Sequence, residues 1–289
     1  MKDRAFGTLR LALASLLALG AALAQVTVTD ASGVPVVIAD TSRVIALDGD
    51  LTEIVFALGE EEHLVAVDTS SLYPEAVAAL PKVGYVRQLA AEGVLSLNPS
   101  LILASEDAAP PEVVEQLKSA GVAYLTVPGE DSVAGAKAKI RTVAQVFGSE
   151  RAADDLLRQI DLDVLEARLY TDAARMQSKP RVMFVYARGA GTLSVSGAGT
   201  SAHAMITLAG GENAVTDYEG YKPLTAEAAV AAAPDALLFL SRGLESVGGY
   251  AGLAELPGLA LTPAYETERV IALDDLYLLG FGPRVGRAV

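Results

Sequence analysis

Tyr85 and Arg87, in Gly84-Tyr85-Val86-Arg87, are the side chains best suited to chemistry in this 289-residue chain. Ferric iron is a hard cation that favours an anionic oxygen, and a phenol needs a metal or a nearby guanidinium to ionise at neutral pH. Tyr85 is therefore a candidate iron ligand and Arg87 the cation that supports it; the alternative is a packed ring with its hydroxyl in water. Arg188 in Tyr186-Ala187-Arg188-Gly189 and Arg242 in Ser241-Arg242-Gly243 also follow expected strands, at the edge where open α/β sheets bind ligands. Otherwise each arginine is a solvated loop charge.

His203 opens a helix after Gly197-Ala198-Gly199-Thr200 and is a possible second iron ligand, or else a polar group at a helix end. His63, after Glu60-Glu61-Glu62, reads as a surface residue. Two histidines so far apart do not make a zinc or manganese site, which wants three or four clustered donors. Ser201 and His203 are too close in sequence for a triad, and there is no cysteine nucleophile. Gly197-Ala198-Gly199-Thr200-Ser201-Ala202 with Asp217 matches a dinucleotide fingerprint and defines the enzyme alternative, although Asp217 ends no obvious strand.

These residues sit in a repeat. Leu89, Glu92 and Pro99 match Leu224, Glu227 and Pro234 at identical offsets, and Gly84-Tyr85 has a counterpart in Gly220-Tyr221. Each copy reads as a tyrosine loop, a short helix with an exposed glutamate and a buried strand after the proline. Two such units predict two similar lobes with a ligand between them, Tyr221 facing Tyr85 as a cleft wall and Tyr186 lining the same space. Glu92 and Glu227 fall in the first turns of matching helices, where the dipole stabilises a carboxylate.

The elements that must hold these side chains follow from periodicity. A hairpin around Ser32-Gly33 opens the fold; strands at Arg43–Leu47, Leu64–Val67, Leu101–Ala104 and Ala123–Val127 alternate with helices at 50–59, capped by Asp50, and 111–120. This alternation predicts parallel sheets covered by helices. Ser132–Phe147 and Glu150–Ala174 are helical, the second with Leu156, Leu157, Ile160, Val164, Leu165 and Leu169 on one face. A helix of that length spans nearly 40 Å at about 1.5 Å per residue, a stiff strut and not a flexible linker. The expected organisation is a lobe over 25–147, a connecting helix over 148–178 and a second α/β lobe over 179–289.

Residues 1–24 read as a signal peptide: Lys2, Arg4 and Arg10 precede the apolar run Leu11–Leu23, with cleavage expected after Ala24. The absence of cysteine excludes disulfides, iron–sulfur clusters and a lipidated cysteine, so a soluble exported protein without a lipid anchor is expected. Removing the leader leaves 19 basic and 35 acidic side chains, which makes nucleic acid an unsuitable partner.

The whole chain beyond the leader resembles the class III substrate-binding proteins of ABC importers. Within that class Gly49-Asp50-Leu51-Thr52-Glu53-Ile54-Val55-Phe56-Ala57-Leu58-Gly59, Val83-Gly84-Tyr85-Val86-Arg87-Gln88-Leu89, Gly220-Tyr221-Lys222-Pro223-Leu224 and Leu278-Leu279-Gly280-Phe281-Gly282-Pro283-Arg284 are similar to the heme branch. The resemblance implies two Rossmann-like lobes joined by one long rigid helix, heme as the transported ligand with Tyr85 as its axial iron ligand, and no catalysis. Arg242 is then the favoured propionate partner, with Arg87 and Arg188 in support, and Glu92 and Glu227 are expected to dock onto the two permease subunits of an ABC transporter with its ATPases. A periplasmic monomer meeting the membrane only through the permease is expected; a ferric siderophore or cobalamin carrier is the alternative within the class. Relatives add a helix after Gly282-Pro283-Arg284, so the last lobe is expected to lack its final helix.

Overall fold

The computed structural model describes residues 25–174 and 179–289; the expected leader lies outside the described residues. The first lobe opens with the antiparallel pair β1 (Val26–Thr29) and β2 (Pro35–Ile38). Its central sheet is fully parallel, in the order β4 (Leu64–Val67), β3 (Val44–Leu47), β7 (Leu101–Ala104), β8 (Ala123–Thr126). β3 and β7 are buried along their whole length, as sheet covered on both faces requires. A separate two-residue hairpin, β5 (Gly84–Tyr85) and β6 (Gln88–Leu89), rides on this lobe.

Helix α1 (Gly49–Leu58) follows β3 and ends at the left-handed Gly59. Its cap is Asp48, whose carboxylate accepts the Gly49 N–H, and not the expected Asp50. Asp50 is instead buried and paired with Lys139 of α4 (Val133–Phe147), with α2 (Ala91–Leu95) and α3 (Pro111–Ser119) lying between in sequence.

The connecting helix α5 runs from Glu150 to Ala174. Ala153, Leu157, Ile160 and Val164 bury the stripe that packs on the core, whereas Leu165 and Leu169, expected on that stripe, are 55% and 65% exposed. Leu165 is about 80° and Leu169 about 120° around the helix from the nearest residue of the buried stripe, and with Leu162 they form a second, solvent-facing apolar line.

In the second lobe β9 (Arg181–Ala187), β13 (Ala236–Leu240) and β14 (Val270–Leu273) are parallel, and β11 (Glu212–Asn213) joins the start of β9 in the same sense. The expected central parallel sheet carries an antiparallel flank: β10 (Leu193–Ser196) and β12 (Tyr221–Pro223) run antiparallel, because β9 turns directly into β10 through Gly189 and Gly191 without a crossover helix. Helices α6 (Ser201–Leu208), α7 (Ala226–Ala232) and α8 (Ser241–Ser246) cover this sheet. One apolar core is continuous between the lobes, joining Leu51, Ile54 and Ile140 to Phe184, Leu278 and Phe281.

The repeat extends to backbone conformation. Asn98 and Ala233, each before the matching proline, both adopt positive φ (47° and 39°), as do Gly84 and Gly220 (104° and 76°). Only glycine enters that region without steric cost, which accounts for the glycine before each tyrosine.

Candidate functional site

The Gly84–Leu89 hairpin is pinned by its backbone. Thr69 N–H donates to Gly84 O, Ala109 N–H to Val86 O and Leu89 N–H to Ala109 O. Val86 is buried while Tyr85 and Arg87 are exposed, so strand alternation sends both functional side chains to one side. Arg87 Nη1 donates to Tyr85 Oη at 2.8 Å and Nη2 pairs with Asp107. Burial opposes the guanidinium's charge, but the Tyr85 hydrogen bond and the Asp107 carboxylate outweigh it, and the Arg87 pKa is raised.

The second lobe repeats this chemistry at a place the sequence reading treated as wall. Tyr186 and Arg188 end β9, and Arg188 Nε donates to Tyr186 Oη at 2.6 Å. Foremost that hydrogen bond, against the effect of burial, raises the Arg188 pKa, with Asp275 and Tyr85 adding to it. Tyr-x-Arg is thus spelled twice, at 85–87 and 186–188, and that spacing was the signal available in the sequence. Burial raises the pKa of Tyr221 on balance, against a hydrogen bond from Thr200 and the charge of Arg87.

Tyr221 is not the strict counterpart of Tyr85. The second copy has one residue fewer between tyrosine and leucine, so Tyr221–Pro223 stays extended against β10 where the first copy turns back as a hairpin. A one-residue shift reverses the face a strand residue occupies. The Tyr221 ring packs edge-on against Phe184 and Tyr186, both at 6.4 Å between centroids, as a wall.

Arg242, in the first turn of α8, makes no ion pair among the described residues. It and Arg188 oppose the upward push of burial on the Asp275 carboxyl, which gathers both arginines at the carboxyl ends of β9 and β13. His203 is not brought to this group: its Nδ1 lies 3.4 Å from Asn213 Nδ2, at the opposite end of β9 from Tyr186. Gly197 has no room for a pyrophosphate either, because a Cβ there would lie 2.3 Å from Tyr218 O; Gly197 serves chain packing, and Gly199 a left-handed turn at φ 67°. Among the described residues no three His, Asp or Glu side chains group as a metal site. Glu92 and Glu227 are exposed in the first turns of α2 and α7, clear of the cleft's hydrogen bonds.

Behind the cleft the lobes are locked by residues from two of the quoted motifs. Arg284 donates through Nε and Nη2 to Glu53 at 2.7 and 2.8 Å, and its guanidinium lies 3.8 Å from the centre of the Tyr73 ring. Lys139, paired with Asp50, also donates to Gly280 O at 3.1 Å. Ser201 donates to Asp131 at 2.6 Å across the lobes. Below Arg87, burial and then the like charge of Asp50 push the Asp48 carboxyl up to about 7, against the hydrogen bond from Ser105. Hollows of about 340 Å³ beside Tyr124 and about 270 Å³ beside Tyr250 lie outside this arrangement.

An uncharacterized ABC transporter substrate-binding lipoprotein, YvrC of Bacillus subtilis, is 31% identical over 74% of this chain and 68% of its own length. A vitamin B12-binding protein of Pectobacterium carotovorum is 29% identical, with 60% of this chain and 61% of that protein aligned. Among solved structures, the periplasmic heme-binding protein RhuT of Roseiflexus sp. RS-1, in apo form, is 46% identical with a TM-score of 0.81, covering 86% of this chain and 95% of that one. The periplasmic heme-binding protein BhuT, in complex with two hemes, is 45% identical with a TM-score of 0.80, covering 85% and 94%. The two-lobed α/β expectation agrees with these structures, and no helix among the described residues is long and apolar enough to cross a membrane. The periplasmic binding protein family model matches residues 44–277, so the chain belongs to that family of binding proteins.

Proposed function

We propose that this protein captures ferric heme between its lobes and delivers it to an ABC importer. The Tyr85–Arg87 and Tyr186–Arg188 pairs, one on each lobe, carry the reading, since each holds a phenol oxygen beside a cation as a hard ferric centre requires. Tyr85 is the iron ligand from the first lobe; Tyr186 offers the same donor from the second. Arg242, free of ion-pair partners among the described residues, takes a propionate, and Tyr221, backed by the buried Phe184, supplies wall for the ring. The heme-binding names of the relatives at 45–46% identity support the ligand class. Vitamin B12-binding relatives keep cobalamin as the second reading, at lower identity and without a use for two phenols.

Glu92 and Glu227, one on each lobe, engage two permease subunits, and the protein works as a monomer exported with cleavage after Ala24 and without a lipid anchor. Competition tests the ligand class: hemin is titrated into the purified protein with and without excess cyanocobalamin. Hemin should saturate the protein undisturbed; displacement by cobalamin would transfer the function to the second reading.

A further inference from the structure

We propose that Asp68 is a positioning residue for the iron ligand, acting through the backbone of the hairpin that carries Tyr85 and Arg87. Asp68 follows β4 at the carboxyl edge of the first sheet and is fully buried. Its Oδ1 accepts the hydroxyls of Ser70 and Ser71, both at 2.9 Å. Oδ2 accepts the N–H of Ser70 at 3.0 Å and the N–H of Val86 at 3.2 Å. Val86 is the residue between Tyr85 and Arg87, so the carboxyl group holds the first of the two peptides that join these side chains, and Ala109 N–H holds the second through Val86 O.

The two lobes differ in their need for such a support. Tyr186 projects from a seven-residue strand inside a sheet, whereas Tyr85 stands on a strand of two residues paired only with another of two. A ribbon that short is not stable on its own. A buried carboxyl group with all four acceptor positions used fixes it as a ligand's outer hydrogen-bond partner fixes a metal site, where loss of the partner costs roughly 10–100-fold in affinity.

The inference rests on Tyr85 as iron ligand, and the test separates the two claims. Asp68→Asn keeps the shape but removes the charge and one acceptor, so the Val86 N–H keeps its partner only if the amide turns its oxygen to it and the Ser70 and Ser71 hydroxyls reverse to accept. Val86→Pro deletes that N–H and leaves Asp68 in place; it suits the extended Tyr85 before it and covers the case in which Asp68→Asn fails to fold. Tyr85→Phe reports the ligand itself, and Thr262→Val, a buried cap in the second lobe, reports simple destabilisation. Each variant is titrated with hemin, and its absorption and resonance Raman spectra are recorded beside its urea midpoint. Asp68→Asn and Val86→Pro should weaken hemin binding about tenfold or more and shift the phenolate-to-iron charge-transfer band, while Thr262→Val lowers the midpoint with an unchanged spectrum. If Tyr85→Phe changes the spectrum and the Asp68 and Val86 variants do not, Asp68 has no positioning role. If Tyr85→Phe leaves the spectrum unchanged, the ligand assignment itself fails.

Discussion

Breaking the ion pair behind the cleft by Arg284→Ala should both destabilise the protein and loosen its lobes. Glu53 is 5% exposed and Arg284 22%, and two hydrogen bonds of 2.7 and 2.8 Å join them, so the substitution strands a buried carboxylate. Orphaning one member of a buried pair costs about 3–5 kcal/mol; the partial exposure of Arg284 puts the expectation near the lower end, at about 3 kcal/mol, including the lost contact with Tyr73. Glu53 can escape by taking a proton, since burial already raises its pKa against the pull of Arg284. A carboxyl whose folded pKa is raised adds stability in acid and loses it as pH rises through that pKa. Arg284→Ala raises the pKa further, so its cost should be largest near pH 8 and shrink towards pH 5. Urea unfolding of Glu53→Ala, Arg284→Ala and the double variant at both pH values yields the coupling energy directly. A single-variant cost under about 0.5 kcal/mol, equal at the two pH values, would show that the pair behaves as an exposed one.

Other consequences follow from the same geometry. Because burial and Asp50 hold the Asp48 carboxyl at about 7, with Asp68 and Arg87 also acting on its surroundings, the folded protein keeps a proton the unfolded chain releases. Stability should then fall by roughly 3 kcal/mol as pH rises from about 4 to about 7; Asp48→Asn should flatten that slope in urea titrations, and an identical slope in both proteins would refute the assignment. Glu92→Ala with Glu227→Ala should leave hemin affinity within about twofold of wild type yet abolish heme-stimulated ATP hydrolysis by the reconstituted importer, since exposed charges steer docking without touching the ligand; full stimulation would reduce both residues to helix-start carboxylates. With α5 and the Glu53–Arg284 pair both spanning the lobes, heme should close the cleft by only a small rotation, and a large fall in the radius of gyration by small-angle scattering would contradict it.

Much of this arrangement was legible in the residues because the governing physics is local. Period and capping marked α5 from Glu150 to Ala174 and placed the strands, and Tyr85 beside Arg87 stood out because a hydrogen bond between residues two apart needs no tertiary information. What escaped depends on contacts distant in sequence. Asp50 looked like a cap, yet Lys139, 89 residues away, claims it and leaves the cap to Asp48. Glu53 and Arg284, read only as parts of family motifs, meet over 231 residues as an inter-lobe lock. Tyr221 was matched to Tyr85 by the repeat, but one missing residue moved it from a hairpin to a sheet edge. Leu165 and Leu169 read as part of the buried stripe because an apolar residue a quarter to a third of a turn away from it looks the same until its partner surface is known.

The absorption spectrum of the purified protein titrated with hemin, set beside those of Tyr85→Phe and Tyr221→Phe, tests the central claim most directly. Ferric heme held by a phenolate should give a high-spin spectrum with phenolate-to-iron charge-transfer bands. Tyr85→Phe should lose or shift those bands and weaken binding far more than Tyr221→Phe, because of these two tyrosines Tyr85 is the one whose oxygen lies beside an adjacent guanidinium. Equal and small effects of the two substitutions, or a wild-type spectrum without phenolate features, would contradict capture of ferric heme through Tyr85.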